Sequence, residues 1–337
     1  MESPLLRLPG AVSADSPDHE IAAHYGEPSQ EQRALATGVP GDAIVDRSNR
    51  GVIRVAGPDR LRWLHSLLSQ HLEGLQPHQT TEALLLSPNG HIEHHLQLID
   101  DGEAVWAHVE QGTAAPLVEF LDKMRFLLRV EVADVTESYA VVTGNGDGSG
   151  LPEGTLGLRD AVGTNWLIPR DRLATIVDDL GARPAGLWAY EALRIAAHLP
   201  RMGFETDHKT IAHEVGWIDG AVHLNKGCYR GQETVARVDN LGRPPRRLVF
   251  LHLDGSVDQL PKHGEPVESD GRQVGFVGSA ARHYEFGPIA LALVKRTVPV
   301  DATLMAGGVP AAQEVVVSPD TGAKVQINVR RLPKQHA

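Results

Sequence analysis

The only cysteine of the 337-residue chain, Cys228, lies in the segment Lys226-Gly227-Cys228-Tyr229-Arg230-Gly231-Gln232-Glu233. Two cations flank this cysteine, and residues 232–238 are predicted to form the first turns of a helix. Nearby cations and a helix N-terminus both stabilise a thiolate, which is the form of cysteine that reacts or binds metal. The alternative is a buried cysteine that packs as a small apolar side chain. The glycines and the two cations favour a reactive thiol in an exposed loop.

Four side chains of this segment are candidates for that chemistry. Cys228 is the predicted reactive thiol, and Lys226 and Arg230 are the cations expected to stabilise its thiolate. Tyr229 adjoins the thiol and is predicted to act as a stacking or gating residue. Glu233 either stabilises the helix N-terminus through the dipole or takes part in catalysis, and the sequence leaves both roles open.

The octapeptide resembles the signature of the YgfZ family, K-G-C-Y-x-G-Q-E, and matches it at every fixed position. The resemblance spans roughly residues 41–330. It implies an α+β, GcvT-like (aminomethyltransferase-like) fold: two ferredoxin-like α+β units and a small C-terminal β-barrel around a central channel. It also implies tetrahydrofolate binding and a role in assembling or repairing iron–sulfur clusters of client enzymes. Cys228 would then be a nucleophile, a transient cluster ligand or a one-carbon acceptor, and the motif positions implied to bind cofactor are Gly227, Gly231, Gln232 and Glu233.

A second segment, residues 194–205, is similar to the folate-anchoring region of the same superfamily. Ala196 stands where the aminomethyltransferases carry a glutamate, whereas Glu205 keeps the final acidic position. A pterin ring needs a carboxylate that accepts from its ring N–H and amino groups together. The resemblance therefore predicts that Arg194 and Glu205 bind a reduced folate. The alternative for Arg194 is a charge on a helix surface.

Residues 89–96 align with the strand that carries an acidic pair in aminomethyltransferases, but this chain has His94 and His95 there. A neutral imidazole supplies no permanent negative charge, so we expect no aminomethyl transfer from the glycine-cleavage system. His91, Glu93 and His95 are predicted to share one face of the strand. Alternate strand residues are about 6.6 Å apart, which is wide for three ligands of one ion, so no tightly bound metal is expected. His94 is predicted to be a core histidine.

The elements that position these residues form four predicted segments. The first part of the chain has few large apolar residues, and its middle alternates strands with amphipathic helices, as in an α+β protein. One such helix, opening at residues 57–59, is predicted to have an apolar face of Leu61, Leu64, Leu67 and Leu68. From residue 246 onward, short strands with glycine turns predict a small barrel with strands at 248–253, 266–269, 274–277 and 288–294 and a last strand near residues 324–329. The segments are a partly ordered N-terminal arm (1–40), a first α+β unit (41–135), a second α+β unit that carries the motif (136–243) and the barrel (246–331).

Composition limits the functions that remain. A single cysteine excludes an intramolecular disulfide and a four-cysteine metal site. The net charge of −11 disfavours a general nucleic-acid binder. No apolar run approaches the roughly 20 residues of a membrane span, and residues 1–7 do not resemble a signal peptide. We therefore expect a cytoplasmic protein, and the resemblance implies that its partners are a folate and iron–sulfur client enzymes or cluster-assembly proteins.

Two rival functions fit the same sequence. One is a folate-dependent one-carbon transferase that moves an aminomethyl or methyl group to or from a small molecule. The other is a scaffold that binds partners and in which Cys228 is incidental. The aminomethyltransferase-like pattern combined with His94 and His95 leaves open whether the protein is an enzyme.

Overall fold

The structure is a computed structural model that describes residues 1–39 and 41–322. Single helical turns of the tighter 3₁₀ type cover Pro4–Arg7, Arg170–Arg172 and Ala212–Glu214. The helices are α1 (Pro28–Thr37), α2 (Arg60–Leu67), α3 (Ala114–Lys123), α4 (Ile176–Leu180), α5 (Leu187–Ala196), α6 (Trp217–Gly220) and α7 (Gln232–Leu241). The strands are β1 (Val12–Ser13), β2 (Ala22–His24), β3 (Ala43–Asp46), β4 (Gly51–Ala56), β5 (Thr80–Leu86), β6 (Ile92–Asp100), β7 (Ala104–Val109), β8 (Glu131–Asp134), β9 (Tyr139–Gly144), β10 (Leu156–Arg159), β11 (Thr164–Pro169), β12 (Arg183–Ala185), β13 (Arg246–Leu253), β14 (Pro266–Ser269), β15 (Arg272–His283), β16 (Gly287–Lys295), β17 (Thr303–Ala306) and β18 (Val309–Val315).

The first sheet is antiparallel, with the strand order β5-β6-β7-β4-β8. Helices α2 and α3 cover one of its faces through a core that includes Leu64, Leu68, Leu85, Leu98 and Leu117. The leucine face that the sequence predicts for α2 is therefore the face that is buried. The other face of this sheet carries polar side chains and borders a cavity.

A β-bulge interrupts strand β6 at Glu93. Leu85 lies opposite His94, but the next residue, Leu86, lies opposite Ile92, so Glu93 is the extra residue. As a result, Ile92 packs in the same core cluster as Leu86. The even alternation that the sequence predicts for this strand does not hold across the bulge.

The second sheet has the order β10-β11-β9-β3-β12, in which β3 and β12 are parallel and the other pairs are antiparallel. Strand β3 belongs to the segment predicted as the first α+β unit, yet it pairs with β9 and β12 of the second. The chain therefore contributes β3 to the second sheet before it enters the first sheet at β4. Residues 47–50, which connect β3 to β4, are buried where the chain passes from one sheet to the other.

The N-terminal residues pack on the rest of the molecule. Composition predicts a partly ordered arm there, and three of its large apolar residues, Leu5, Ile21 and Leu35, are almost fully buried. Strands β1 and β2 pair as a small sheet. The Gln32 side chain donates to the carbonyl of Arg282 at 2.9 Å and accepts from the amide of Tyr284, which fixes α1 against the barrel. The expectation of a loose arm is corrected by these contacts.

The C-terminal strands close into a barrel of order β13-β16-β15-β14-β17-β18. The sequence predicts the barrel and its first four strands, but not β17 and β18. Gly307 and Gly308, both with positive φ, join these two short strands. The last strand predicted from the sequence, near residues 324–329, lies outside the described residues.

Among the described residues, no helix combines the length and the apolar character that crossing a bilayer requires.

Candidate functional site

The thiol of Cys228 is exposed, and we call residues 223–231 the thiol loop. This loop ends where α7 begins at Gln232, as the sequence predicts. Gly231 has a φ of +83°, and a side chain there would meet the carbonyl oxygen of Ser87 at 2.6 Å. The Cα of Gly90 would lie only 3.0 Å from the same added carbon. The β5–β6 turn therefore contacts the start of α7 at backbone distance, which requires glycine.

Lys226 anchors the thiol loop to the end of α2. Its ammonium group donates to the carbonyl oxygens of His65, Leu68 and Gln70, the last at 3.0 Å. A cation at these carbonyls satisfies acceptors that a helix C-terminus leaves free, and it also complements the helix dipole. Burial lowers the pKa of Lys226 to about 8, whereas the carbonyls favour its charged form. The predicted role of Lys226 as a partner of the thiolate is thus corrected to an anchoring role.

Arg230, the second predicted activating cation, also has other partners. Its guanidinium donates to the carboxylate of Glu93 at 2.7 Å and lies 5.0 Å from the ring centroid of Phe120 on α3. Within residues 1–39 and 41–322, neither Arg230 nor Lys226 forms a hydrogen bond with the sulfur of Cys228. Both cations hold the loop on the first sheet and its helices instead.

The other motif residues surround the thiol without forming an open ligand site. Tyr229 is 7% exposed and packs with Trp217, and burial raises its pKa to about 12. Gln232 donates to the Lys226 carbonyl at 3.4 Å. Glu233 is exposed at the start of α7, where its charge complements the dipole. Gly227 has open space at its Cα.

A cavity of about 340 Å³ lies between the first sheet, α5 and the segment 198–220. This volume is within the range of small-molecule sites. The charged and polar residues on its wall come from distant parts of the chain. They are Arg47, Arg50, Glu82, His95, Gln97, His108, Glu110, Tyr190, Arg194, His198, Arg201 and Asp219. The predicted cofactor residues Gly227, Gly231, Gln232 and Glu233 do not line it.

Arg194 lines the cavity, but Glu205 does not. Glu205 is fully buried and accepts from Arg194 at 3.3 Å and from the backbone N–H of Arg201 at 2.7 Å. Burial raises the pKa of Glu205 above its ordinary value, against the opposing effect of Arg194. Arg194 also donates to Glu191 at 2.6 Å and to the Ser279 hydroxyl. Glu205 is therefore paired with Arg194 away from the cavity lining, and its contact with a pterin stays a prediction.

Arg201 is the centre of an ion-pair network that the sequence does not reveal. It donates twice to Asp18 of the N-terminal segment, at 2.7 and 2.8 Å, and at 2.7 Å to Glu110 of the first sheet. Arg50 pairs with the other oxygen of Glu110 at 2.9 Å. These cations hold the pKa of the Glu110 carboxyl well below its usual range, although burial acts in the opposite direction. These residues are far apart in the sequence and come into contact only in the folded chain, so no local sequence pattern indicates the network.

A polar row crosses the sheet below the cavity, and we call it the cavity row: Glu82 on β5, Gln97 on β6 and His108 on β7. Glu82 lies opposite Gln97, and Gln97 lies opposite His108. Beside the row, His95 hydrogen-bonds to Glu82 at 3.0 Å and stacks on Trp217 with ring centroids 4.3 Å apart. His95 and Gln97 alternate with apolar residues on a predicted strand, which is the one sequence signal that indicates this polar face.

In the part of the chain that the structure describes, no group of three or more His, Cys, Asp or Glu side chains is arranged to hold a metal ion.

Comparisons with known proteins give a consistent result. Residues 246–333 match the sequence model of the glycine cleavage T-protein C-terminal barrel domain. A chloroplastic protein of Arabidopsis thaliana named as a transferase is 27% identical over 70% of this chain, and the match covers 61% of that protein's length. An aminomethyltransferase of Rippkaea orientalis is 26% identical over 83% of this chain and 84% of its own.

Two further comparisons concern the fold and a different kind of relative. The crystal structure of the glycine cleavage system aminomethyltransferase T from Bartonella henselae superposes with a TM-score of 0.81, covering 95% of this chain and 98% of that one at 17% identity. The predicted GcvT-like fold is therefore confirmed. A mitochondrial iron–sulfur cluster assembly factor IBA57 homologue of Mycosarcoma maydis is 24% identical over 60% of this chain and 55% of its own length.

Proposed function

We propose that this protein is a YgfZ-like factor that binds a reduced folate and supports the assembly or repair of iron–sulfur clusters in client enzymes. The observation that carries the proposal is an exposed, unique thiol on a loop that is fixed at several points. A loop held in this way presents the sulfur to another protein without reorganising. In this proposal the iron–sulfur cluster is a substrate that is passed to a client enzyme, and Cys228 contacts it only transiently.

The cavity is the proposed folate site. It is large enough for a two-ring heterocycle, and its wall has both an ionisable carboxylate, Glu82, and a buried hydrogen-bond donor, His108. These groups fit the mixed donors and acceptors of a pterin better than the covered Glu205 does. A bound folate would supply a one-carbon unit or redox chemistry. The chain's own residues would bind and orient it and exclude water.

The cavity and the thiol loop are connected by a short stretch of chain. Trp217, Asp219 and Gly220 line the cavity, and the thiol loop begins at His223. Ser69 joins both parts, because its hydroxyl donates to the carbonyl of Ala221 and its carbonyl accepts from the amide of His223. A ligand that displaces α6 would therefore act on the backbone that leads to Cys228.

Replacement of the thiol tests the proposal. In cells that lack the native protein, Cys228→Ser should fail to restore the activity of iron–sulfur enzymes. Stability should change by less than about 0.5 kcal/mol, because the side chain is exposed. Denaturant unfolding of the purified variant checks the second expectation. Normal activity of the client enzymes with the serine variant would remove the thiol from the mechanism and leave a scaffold.

A folate-dependent one-carbon transferase is the second candidate. The match to an aminomethyltransferase over 84% of that protein's length favours it. The loss of the acidic pair at His94 and His95 disfavours aminomethyl transfer from a lipoyl carrier. Measured transfer of an aminomethyl or methyl group to or from a small molecule in vitro would favour this candidate over the first.

A further inference from the structure

His108 lines the cavity, and among the described residues no atom accepts a hydrogen bond from one of its ring nitrogens. The side chain is only 1% exposed, and it lines the cavity. Arg50 Nε lies 3.0 Å from His108 Nδ1. A guanidinium N–H only donates, so Nδ1 accepts and the ring proton is on Nε2. Among the described residues, Nε2 has no hydrogen-bond partner.

The imidazole of His108 is held neutral. Burial, followed by the charges of Arg50 and Arg47, keeps its pKa well below the usual range. A buried N–H without an acceptor destabilises the protein by about 1–3 kcal/mol. An acceptor atom of a ligand would remove that penalty, so this side of the cavity favours a ligand oxygen or ring nitrogen.

Glu82 provides the opposite chemistry at the other end of the cavity row. Burial alone would raise its pKa, but the hydrogen bond and charge of His95 lower it overall, so the carboxylate is ionised. Its carboxylate oxygens form hydrogen bonds with His95 at 3.0 Å and with Gln97 at 3.5 Å. A carboxylate has about four lone-pair positions, so it can accept further hydrogen bonds from a ligand. The side chain is 33% exposed at the cavity.

The strand register places the acceptor and the donor at a defined separation. Glu82 and His108 are two strands apart on the same row, with Gln97 between them. Two strand spacings amount to about 10 Å between backbones, and two side chains pointing from them toward one cavity leave room for a ring. A ring whose edge lies along the row above Gln97 would meet a carboxylate at one end of that edge and an N–H at the other.

We propose that the cavity row binds the amide edge of a 2-amino-4-oxo pyrimidine ring, as found in a pterin. That edge presents an amino group, a ring N–H and a carbonyl in sequence. Glu82 accepts from the first two, and the Nε2–H of His108 donates to the carbonyl. The inference rests on the proposed folate function, but it assigns recognition to residues outside both the thiol loop and the segment 194–205. Glu82 then provides the carboxylate that Ala196 lacks and that Glu205 does not expose.

Calorimetric titration of the full chain with tetrahydrofolate tests this assignment. Glu82→Gln should weaken binding by about 10- to 100-fold, the range for losing hydrogen bonds to a charged group. Glu103→Gln, an exposed glutamate on the β6–β7 hairpin, is the matched control and should bind like the wild type. Circular dichroism and denaturant unfolding of each variant confirm that it is folded.

Two substitutions of His108 separate the cavity donor from the contact with Arg50. In His108→Asn, the amide oxygen of the new side chain can replace Nδ1 as the acceptor for Arg50, but no donor reaches the cavity. His108→Gln keeps an N–H near the position of Nε2. We expect His108→Asn to bind tetrahydrofolate about tenfold more weakly, because loss of one buried hydrogen bond has about that effect. His108→Gln keeps the donor, so its binding should weaken by less than about threefold. A 2,4-diamino analogue places a donor where the carbonyl would be, opposite the Nε2–H donor, so it should bind to His108→Asn at least as well as to wild type.

The outcomes distinguish this inference from the proposed function. Tetrahydrofolate binding that is unchanged by both Glu82→Gln and His108→Asn would overturn the inference and leave folate binding intact. If tetrahydrofolate does not bind but free pterin binds and Glu82→Gln weakens its binding, the inference is supported and the proposed folate function is overturned. If neither compound binds the wild-type chain at millimolar concentration, both are overturned.

Discussion

The thiol loop and the cavity are built in opposite ways. The loop is one continuous segment with an exposed cysteine. Each of its two cations has its own partners: Lys226 donates to carbonyls at the end of α2, and Arg230 donates to Glu93. The cavity collects charged side chains from at least five parts of the chain, and most of them are buried in shared ion pairs. Substitutions in the loop should therefore have local effects, whereas substitutions in the cavity should affect the whole fold.

Arg201→Ala should produce the largest effect and would test the cavity side of this comparison. It leaves Asp18 without its cation and, among the described residues, leaves Glu110 paired with Arg50 alone, and removing one member of a buried ion pair destabilises a protein by about 3–5 kcal/mol. Arg282→Ala is the matched control, because its partner Asp258 is exposed and such pairs contribute about 0–1 kcal/mol. Urea unfolding measures both. Equal effects would show that the cavity pairs are no more coupled than surface pairs.

The pH dependence of stability should arise in part from His94, whose chain neighbours Glu93 and His95 contact the thiol loop and the cavity, respectively. Burial lowers the pKa of His94 to about 4, from an ordinary value of 6.5. Between these values the unfolded chain binds a proton that the folded chain does not, so stability falls as the pH falls. The whole shift corresponds to at most about 3 kcal/mol. Unfolding curves of wild type and His94→Phe from pH 7 to 4 measure this loss.

The His94→Phe variant should lose part of the pH slope, while replacement of the more exposed His252 should retain it. An unchanged slope in His94→Phe would show that His94 is solvated and that the side chains around the β6 bulge pack loosely.

Two glycines of the thiol loop should differ in their tolerance of alanine. Gly231 has a positive φ and touches the β5–β6 turn, so Gly231→Ala should destabilise by about 1–3 kcal/mol. Gly227 has no neighbour within 4 Å of an added side chain, so Gly227→Ala should change stability by less than about 0.5 kcal/mol. Thermal unfolding compares them. Similar effects of both changes would indicate that the loop is not held at Gly231.

The smallest effect is expected for Arg230→Gln. Its partly exposed pair with Glu93 should contribute about 0.2–1 kcal/mol to stability. The guanidinium of Arg230 is paired with Glu93 and not with the sulfur of Cys228. Its removal should therefore change the alkylation rate of Cys228 at fixed pH by less than about threefold, a smaller change than loss of a cation in direct contact with the thiolate would cause. Since the chain has one cysteine, labelling reports this site alone. A tenfold slower reaction would restore the activating role that the sequence predicts for Arg230.

The sequence predicts those parts of the molecule that depend on neighbouring residues. The start of α7, the leucine face of α2 and the exposure of Cys228 follow from local patterns, and the structure agrees with each. The barrel and the GcvT-like fold follow from the motif resemblance and from short strands with glycine turns. Strands β17 and β18 are not predicted, because they have only four and seven residues, respectively, and polar and apolar residue types do not alternate regularly along them.

The roles of charged residues are harder to predict, because a charge is balanced by whichever group lies nearest in the folded chain. Lys226 and Arg230 are sequence neighbours of Cys228, but their partners are carbonyls of α2 and the carboxylate of Glu93. Glu205 matches a folate pattern in sequence, yet Arg194 covers it. Glu82 and His108 form the proposed recognition row only because three strands align in register, which no spacing along the chain reveals.

The ion pair between Asp18 and Arg201 also has a consequence for biosynthesis. The two residues are separated by 183 positions. At about 5–20 residues per second, the ribosome adds Arg201 roughly 10–40 s after Asp18. During that interval the carboxylate of Asp18 lacks its cationic partner, and the wall of the cavity is incomplete. The cavity is therefore completed only late in translation, after the chain beyond residue 201 has left the exit tunnel.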